Sequence, residues 1–302
     1  MRPDFSLVPA AFAVLLCALC APVLAHAYSF SFDRSFAAPE ANFFALGVGD
    51  NGSLWVHGQD TLTVYEINPA TGAVLGSFAT GIGSIADIDV LNGVLYAGGE
   101  PDIYRFNAAT GASLGALTGP VTGGSRGLAF IGLDLYVSGV LAGFPGDVRL
   151  GEVDASDGSL LGSSAPVDLI DSAGIGALEG KVLYLAVDTS SGTPHDVVLH
   201  VAEPDTGAAV ESHLLFTADD TLFGLDVLGD ELFVSRRDVG AGEVWVYEIL
   251  PEPGATLSLG AGLGMLAALV RLRRPLKRGR AGTPCARRAR PTSPASTLRS
   301  SC

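Results

Sequence analysis

The sequence predicts an all-β chain built from one repeated unit, and three observations support this. First, the segments VYEINPATGAVLGSF (64–78) and IYRFNAATGASLGAL (103–117) align without gaps, and 148–164 and 199–213 repeat their pattern. Second, a short apolar segment with an aromatic residue recurs every 40 to 49 residues, at Trp55, Tyr96, Tyr136, Tyr184 and Phe233. Third, no helical period of ten or more residues occurs between 28 and 250.

Each copy of the unit is predicted to contain four short strands. In the second copy these are 85–90, 94–99, 102–107 and 112–117, and the Asn92-Gly93 pair between the first two strands favours a tight hairpin. A single small sheet cannot bury both of its faces, whereas a ring of such sheets can. Four strands in every 40 to 49 residues are therefore typical of a β-propeller.

The ring is predicted to close through the two ends of the repeated region. The fifth copy ends at EVWVYEI (243–249) without a fourth strand, and the alternating segment Tyr28–Phe32 precedes the first copy. Pairing these two segments would complete five blades. Six blades is the second candidate, if the longer third and fourth copies hide extra strands, and a β-sandwich is the third.

The predicted organisation has four parts. Residues 1–27 form a signal peptide, 28–250 the propeller, 251–274 a sorting signal with a transmembrane helix at 255–272, and 275–302 a basic tail. The predicted repeats cover about 41–80, 81–120, 121–165, 166–215 and 216–250.

Charge is distributed unevenly along the 302 residues, whose net value is −14. Residues 28–250 carry 7 basic and 30 acidic side chains, whereas 251–302 carry 10 basic side chains and only Glu252. A body at −23 excludes nucleic-acid binding by counterion release and binding to an anionic membrane surface. All four cysteines, Cys17, Cys20, Cys285 and Cys302, lie outside the body. The body therefore has no disulfide and no cysteine metal ligand.

The N-terminal end has the pattern of an export signal. An apolar run, 7–24, is followed by Ala25-His26-Ala27, a small-x-small sequence that predicts cleavage after Ala27. Tyr28 would then be the first residue of the mature chain.

The C-terminal end combines three ordered elements. Pro251-Glu252-Pro253 precedes an uncharged apolar run, and Arg271, Arg273 and Arg274 follow it. A helix of roughly 16 to 18 residues would span about 24–27 Å, slightly less than a bilayer core. Arginines on one flank would keep that end in the cytoplasm. The remaining tail, rich in Arg, Pro and Ser, is predicted to be disordered.

This end resembles the PEP-CTERM sorting signal. Pro251, Glu252 and Pro253 match the motif, and the three arginines match the basic cluster. The resemblance implies recognition by an exosortase, a membrane-embedded cysteine transpeptidase or protease, and transfer to the envelope of a Gram-negative bacterium. The tail after the arginines departs from this family, whose signals usually end there. An ordinary C-terminal membrane anchor is the alternative.

The repeat itself looks like that of quinoprotein-type propellers, in which an Asp-x-x-Thr-Gly turn is followed by a strand ending in Trp. Here Gly76, Gly115 and Gly162 occupy the place of that Trp. Such enzymes also use a Ca²⁺ site and commonly a vicinal disulfide, which the body cannot form. The resemblance therefore implies the architecture without the quinone chemistry.

Three aspartates are the candidate site in the body. Asp87 and Asp89 lie in a predicted first strand, which would be nearest the propeller axis, and Asp226 is equivalent to Asp89 when seven residues are counted back from each aromatic. The same count places Val48, Ala129 and Ala177 in the other copies. These carboxylates could bind a cation such as Ca²⁺ or a sugar hydroxyl. Alternatively, they face a water-filled channel or bind amides of neighbouring loops.

Two functions follow from these features. The first is an exported, non-catalytic binding or matrix protein of the envelope, associated with exopolysaccharide or another envelope protein and handled by the secretion machinery and an exosortase. The second is a hydrolase or lyase that acts on a sugar or lactone through Asp87, Asp89, Asp226 and Ca²⁺. No catalytic residue and no cofactor are assigned for the first.

Overall fold

The computed structural model describes residues 28–83, 85–99, 102–167, 174–188, 195–218, 221–238 and 241–251. By internal contacts the chain divides into two units, Met1–Ala255 and Thr256–Cys302, and all described residues belong to the first.

The described residues form twenty strands in five four-stranded antiparallel sheets. Blade 1 contains β2 (Phe43–Val48), β3 (Leu54–Gly58), β4 (Thr63–Ile67) and β5 (Val74–Ala79). Blade 2 contains β6 (Ile85–Leu91), β7 (Val94–Gly99), β8 (Asp102–Asn107) and β9 (Ser113–Thr118). Blade 3 contains β10 (Val121–Ile131), β11 (Asp134–Leu141), β12 (Val148–Val153) and β13 (Leu160–Pro166). Blade 4 contains β14 (Ile175–Leu178), β15 (Lys181–Asp188), β16 (His195–Ala202) and β17 (Ala209–Ala218). Blade 5 contains β18 (Thr221–Leu228), β19 (Glu231–Asp238), β20 (Ala241–Pro251) and β1 (Tyr28–Ala37).

Blade 5 closes the ring as the sequence predicts. Its outermost strand is β1, which comes from the start of the body and pairs antiparallel with β20, from Tyr28 opposite Pro251 to Ala37 opposite Glu243. The strand continues five residues beyond the predicted segment, with a register shift between Phe32 and Arg34. Sequence-distant ends are thus joined by backbone hydrogen bonds.

The hydrophobic core is divided among the five interfaces between blades. Each of five clusters of buried side chains combines residues from two neighbouring sheets. Leu46 and Val56 of blade 1, for example, share a cluster with Phe233 and Val246 of blade 5. The alternatives of six blades and of a β-sandwich are therefore wrong, because the described chain forms one ring of five sheets.

Local sequence determines the strand ends closely in blade 2. The predicted strands match β6 to β9 within one residue at each end. Asn92 and Gly93 have φ values of 54° and 72°, the left-handed conformation that a tight hairpin turn requires. The Asn-Gly prediction is thus confirmed.

The outer parts of the blades dock without the missing Trp. The turn between the third and fourth strands of one blade lies against the outermost strand of the preceding blade. A Cβ at Gly111 would lie 2.5 Å from the Phe78 side chain, and one at Gly158 would lie 3.1 Å from Leu117 Cβ. Phe78 and Leu117 follow Gly76 and Gly115 by two positions, so the docking side chain is displaced along the strand.

The predicted ends of the chain lie almost wholly outside the described residues. Pro251 is the last residue of β20. The remaining sorting residues Glu252, Pro253, Arg271, Arg273 and Arg274 lie outside, as do the cleavage residues Ala25 and Ala27. The described part of the chain contains no helix with the length and apolar character needed to span a membrane.

Candidate functional site

The first strands of the five blades surround the propeller axis and contact one another around the ring. We call these strands, β2, β6, β10, β14 and β18, the hub. Their approach is close: a Cβ added at Gly47 would lie 1.9 Å from the carbonyl oxygen of Ile88 in the next blade. Only glycine fits at such a backbone contact. The main chains of neighbouring hub strands are therefore in direct contact here. In a wider ring, a channel would separate them.

Asp89 and Asp226 make the same contacts in two different blades. Asp89 Oδ2 accepts a hydrogen bond from the amide of Phe130 in blade 3 at 2.7 Å, and Asp226 Oδ2 accepts one from the amide of Val48 in blade 1 at 2.7 Å. In each case Oδ1 accepts from the amide of the following residue, Val90 or Val227. Each carboxyl group therefore fastens its own strand to the first strand of the next blade.

The predicted equivalence of Asp89 and Asp226 is confirmed by strand register. Asp89 lies opposite Tyr96, and Asp226 lies opposite Phe233. The prediction for Val48 and Ala177 is wrong. Gly47 lies opposite Trp55 in blade 1. In blade 4 the equivalent position is Gly176, which stands three residues before the turn Glu179-Gly180, as Asp89 stands before Asn92-Gly93, and which lies opposite Leu183 instead of Tyr184.

Asp87 joins its own blade 2 both to the neighbouring blade 3 and to blade 4, which is not a neighbour. Its Oδ2 accepts from the amide of Leu128 in blade 3 at 2.9 Å and from the amide of Ile175 in blade 4 at 3.1 Å. The side chain is fully buried, and Oδ1 has no hydrogen-bond partner among the described residues. The Asp87 side chain thus occupies space in the hub that the sequence-based prediction assigned to solvent or a ligand.

Burial controls the ionisation of all three carboxyl groups. It raises the pKa of Asp87 and Asp89 well above the ordinary value of 3.8, and the charge of Asp226 adds to the increase in both. Burial also raises the pKa of Asp226 to about 7, against the opposing effect of amide donors from Val227, Val48 and Ala177. The hub therefore favours neutral carboxyl groups in mildly acidic solution.

The geometry gives these aspartates a structural use. Their oxygens mostly accept from main-chain amides, and the described residues include no group of three or more His, Cys, Asp or Glu side chains placed to hold a metal ion. The exposed fraction is 7% for both Asp89 and Asp226. The alternative in which these groups bind amides fits, although the amides belong to neighbouring strands instead of loops. The described hub shows no exposed carboxylate for a water-filled channel.

One histidine of the body lies in the core. His57 in β3 is fully buried. Burial lowers its pKa to about 4, although the charge of Glu40 opposes the decrease. His57 is therefore a neutral core residue at neutral pH.

A second group of polar residues surrounds Tyr28 at the edge of blade 5. The backbone nitrogen of Tyr28 donates to Glu211 Oε2 in blade 4 at 3.1 Å, and His213 Nε2 lies 3.1 Å from the same oxygen. The phenol of Tyr28 donates to Glu179 Oε2 at 2.6 Å. Burial raises the pKa of the Tyr28 phenol, as does its bond to Glu179.

A third feature is a cavity of about 250 Å³ at the outer part of the interface between blades 3 and 4. Tyr136, Glu152, Ser163, Ser164 and Asp205 contribute its polar lining. These residues were not predicted from the sequence. Their signal was present in the aligned repeats: Ser164 stands two positions after Gly162, where Phe78 and Leu117 stand in blades 1 and 2.

Comparisons with known proteins identify the architecture. No family model and no curated protein matches the chain. Among solved structures, it is similar to glutaminyl cyclase of Myxococcus xanthus, with 14% identity and a TM-score of 0.54 over 74% of this chain and 99% of that one. It is also similar to the PQQ-bound aldose sugar dehydrogenase of Streptomyces coelicolor, with 13% identity and a TM-score of 0.49 over 74% and 99% of the two chains. At such identities the likeness to the cyclase concerns the fold alone, and the chain is a five-bladed β-propeller.

Proposed function

We propose that this chain is an exported β-propeller that is sorted to the cell envelope and acts there as a non-catalytic binding or matrix protein. The observation that carries the non-catalytic part is the use of the hub carboxyl groups. Asp87, Asp89 and Asp226 were the candidates for acid–base or metal chemistry, and their oxygens accept hydrogen bonds from amides of other blades. Groups that hold the ring together are poorly placed to reach a substrate.

The surroundings of Tyr28 support export with cleavage after Ala27. Cleavage would convert the backbone nitrogen of Tyr28 into an α-ammonium group, 3.1 Å from the Glu211 carboxylate. An ammonium–carboxylate pair is stronger than the same contact made by a neutral amide. Tyr28 also lies opposite Pro251, the first residue of the proposed sorting motif.

Mass spectrometry of the native protein tests the sorting proposal. We expect a mature chain that begins at Tyr28 and has lost everything after about residue 253, the position that the sorting motif defines. The proposed partners are the secretion machinery, an exosortase and exopolysaccharide or another envelope protein. An intact C-terminus at Cys302 would contradict processing by an exosortase.

The test of the non-catalytic proposal uses the hub. An Asp89→Asn/Asp226→Asn double variant should leave any ligand binding unchanged once its fold is verified by circular dichroism. A measurable hydrolase or lyase turnover on sugars or lactones that needs Ca²⁺ and disappears in this variant would overturn the proposal.

A further inference from the structure

Three outer interfaces between blades are alike, and a fourth differs from them. Behind the turns at Gly72, Gly111 and Gly158, the preceding outer strand presents Phe36, Phe78 and Leu117. Behind the turn at Gly207 a Cβ would lie 2.6 Å from Val167 Cγ1 and 3.0 Å from Ser164 Oγ. At the interface between blades 3 and 4, Ser164 therefore stands where the other strands have a large apolar side chain, Val167 supplies the apolar contact, and the 250 Å³ cavity lies there.

The same interface carries an additional acidic residue in the turn. Asp205 lies two residues before Gly207, and the corresponding positions are Ala70, Ala109 and Ser156 in blades 1 to 3. Asp205 is exposed and lines the cavity. The change from a large apolar side chain to Ser164 and the gain of a carboxylate in the turn thus coincide at one interface of the ring.

Glu152 supplies the second carboxylate. It differs in its hydrogen bonding from Glu66, the residue at the same position in blade 1. Glu152 lies opposite Tyr136 and Gly162, as Glu66 lies opposite Trp55 and Gly76. Glu66 Oε1 accepts hydrogen bonds from Asn51 and Ser53 at 2.8 Å each. Glu152 makes no hydrogen bond to any side chain or amide in the described part of the protein, and it lines the cavity.

Tyr136 completes the polar wall. Its exposed fraction is 6%, and its hydroxyl group makes no hydrogen bond in the described part of the protein while remaining accessible to solvent at the cavity. Burial raises the pKa of Tyr136 to about 12, and the charges of Glu152, Asp205 and Asp134 contribute to the increase.

No basic side chain contributes to the described lining of the cavity. Two cations lie next to the lining, and each is paired. Arg149 donates to the carbonyl oxygen of Ser164 at 2.7 Å and lies over the Phe144 ring, and Lys181 donates to Glu203 at 2.6 Å. The described lining itself therefore holds the carboxylates of Glu152 and Asp205 and no basic side chain.

We propose that this cavity is a binding site for a small organic molecule that carries a primary ammonium group and hydroxyl groups, as an amino sugar does. The carboxylates of Glu152 and Asp205 would accept from the ammonium group. The hydroxyl groups of Tyr136 and Ser163 would bind the ligand hydroxyls. Pockets for drug-sized ligands measure roughly 300–1,000 Å³, so a space of 250 Å³ suits a ligand of about one sugar ring. This proposal does not depend on export or sorting.

Isothermal titration calorimetry with glucosamine tests the proposal, with glucose as the neutral counterpart and CaCl₂ as the inorganic cation. We expect saturable binding of glucosamine, at least tenfold weaker binding of glucose, and no saturable binding of Ca²⁺. Glu152→Gln and Asp205→Asn should each weaken glucosamine binding about tenfold. Ser164→Phe, which restores the side chain found at Phe78, should abolish it.

The matched control is Glu66→Gln, which makes the same change at the same blade position where the interface is filled. It should leave glucosamine binding unchanged. Equal binding of glucose and glucosamine, absence of saturable glucosamine binding at millimolar concentrations, or equal loss in Glu66→Gln and Glu152→Gln would each overturn the proposal. Because Ser164→Phe could fail to fold, the two carboxylate variants, compared by thermal unfolding first, decide the outcome.

Discussion

The hub and the outer rim of this propeller use acidic residues in opposite ways. At the hub, Asp87, Asp89 and Asp226 are buried and accept from amides of other blades. At the rim between blades 3 and 4, Glu152 and Asp205 line a cavity, with no hydrogen bond to another described side chain. The comparison teaches that an acidic residue near the axis is not by itself a site. Its surroundings decide whether it holds the fold or remains available to a ligand.

A substitution at the backbone contact of Gly47 in the hub should have the largest effect on stability. Gly47→Ala places a Cβ 1.9 Å from the carbonyl oxygen of Ile88, which can move only with its strand. We expect a loss of more than about 4 kcal/mol in the free energy of unfolding, or no folded protein. Chemical denaturation measures it. Gly76→Ala on an outer strand is the control, because its nearest neighbour would be Glu66 Oε2 at 3.5 Å, and a comparable loss there would contradict the contrast.

Removal of Asp87 should come next. Asp87→Ala leaves the buried amides of Leu128 and Ile175 without their acceptor, and each unpaired buried group costs about 1–3 kcal/mol. We expect a loss of about 2–5 kcal/mol in unfolding free energy. Asp87→Asn keeps an oxygen acceptor and should recover more than half. Asp157→Ala, at an exposed turn carboxylate, should change stability by less than about 0.5 kcal/mol.

The third prediction concerns pH. The pKa of Asp226 is about 7 in the folded protein and near 3.8 when unfolded, so the folded state binds the additional proton between these values. This protonation makes its full contribution to the free energy of unfolding below about pH 4, and the contribution is lost as pH rises towards 7. Between pH 5 and 6.5 Asp226 should contribute about 2 kcal/mol to the decrease, since one pKa unit corresponds to about 1.4 kcal/mol.

The Asp226→Asn variant provides the comparison for that measurement. Its carboxamide does not titrate, so its stability should fall less steeply over the same interval in urea denaturation. If the stability of the two proteins depends on pH in the same way, Asp226 is already charged in the folded state. The hub carboxyl group would then not differ in ionisation from those at the rim.

The smallest effect is expected at Tyr28. In a protein that begins at Tyr28, Glu211→Gln should lower stability by about 1 kcal/mol, because an ammonium–carboxylate contact of 3.1 Å is replaced by a weaker one. Thermal unfolding measures the change. The same substitution in a chain that retains Ala27 should have a smaller effect, and equal effects in both would argue against a role for a free α-ammonium group.

Much of the fold could be predicted because it depends on local chemistry. The alternation of apolar residues and the Asn92-Gly93 turn determine strand ends in blade 2, and the incomplete fifth copy predicts closure by the first strand. Register was harder to predict, because a hairpin that turns one residue earlier moves every partner. Counting from Tyr184 therefore selected Ala177 where the structure has Gly176.

The candidate site was only half predicted for a related reason. The equivalence of Asp89 and Asp226 follows from spacing, but spacing does not reveal that amides of Phe130 and Val48 occupy their oxygens. The cavity residues were overlooked because serine and glutamate on an outer strand are ordinary surface residues until the docking side chains of the other blades are known.

The sequence by itself determined the repeat, the all-β class, the closing strand and the division of charge between body and ends, because each depends on residue pattern and composition. Only the tertiary structure decided the number of blades, the register and the roles of the acidic residues. These depend on how sheets from distant parts of the chain meet. An aspartate against a neighbouring amide becomes part of the ring, whereas Glu152, near the small side chain of Ser164, lines a cavity.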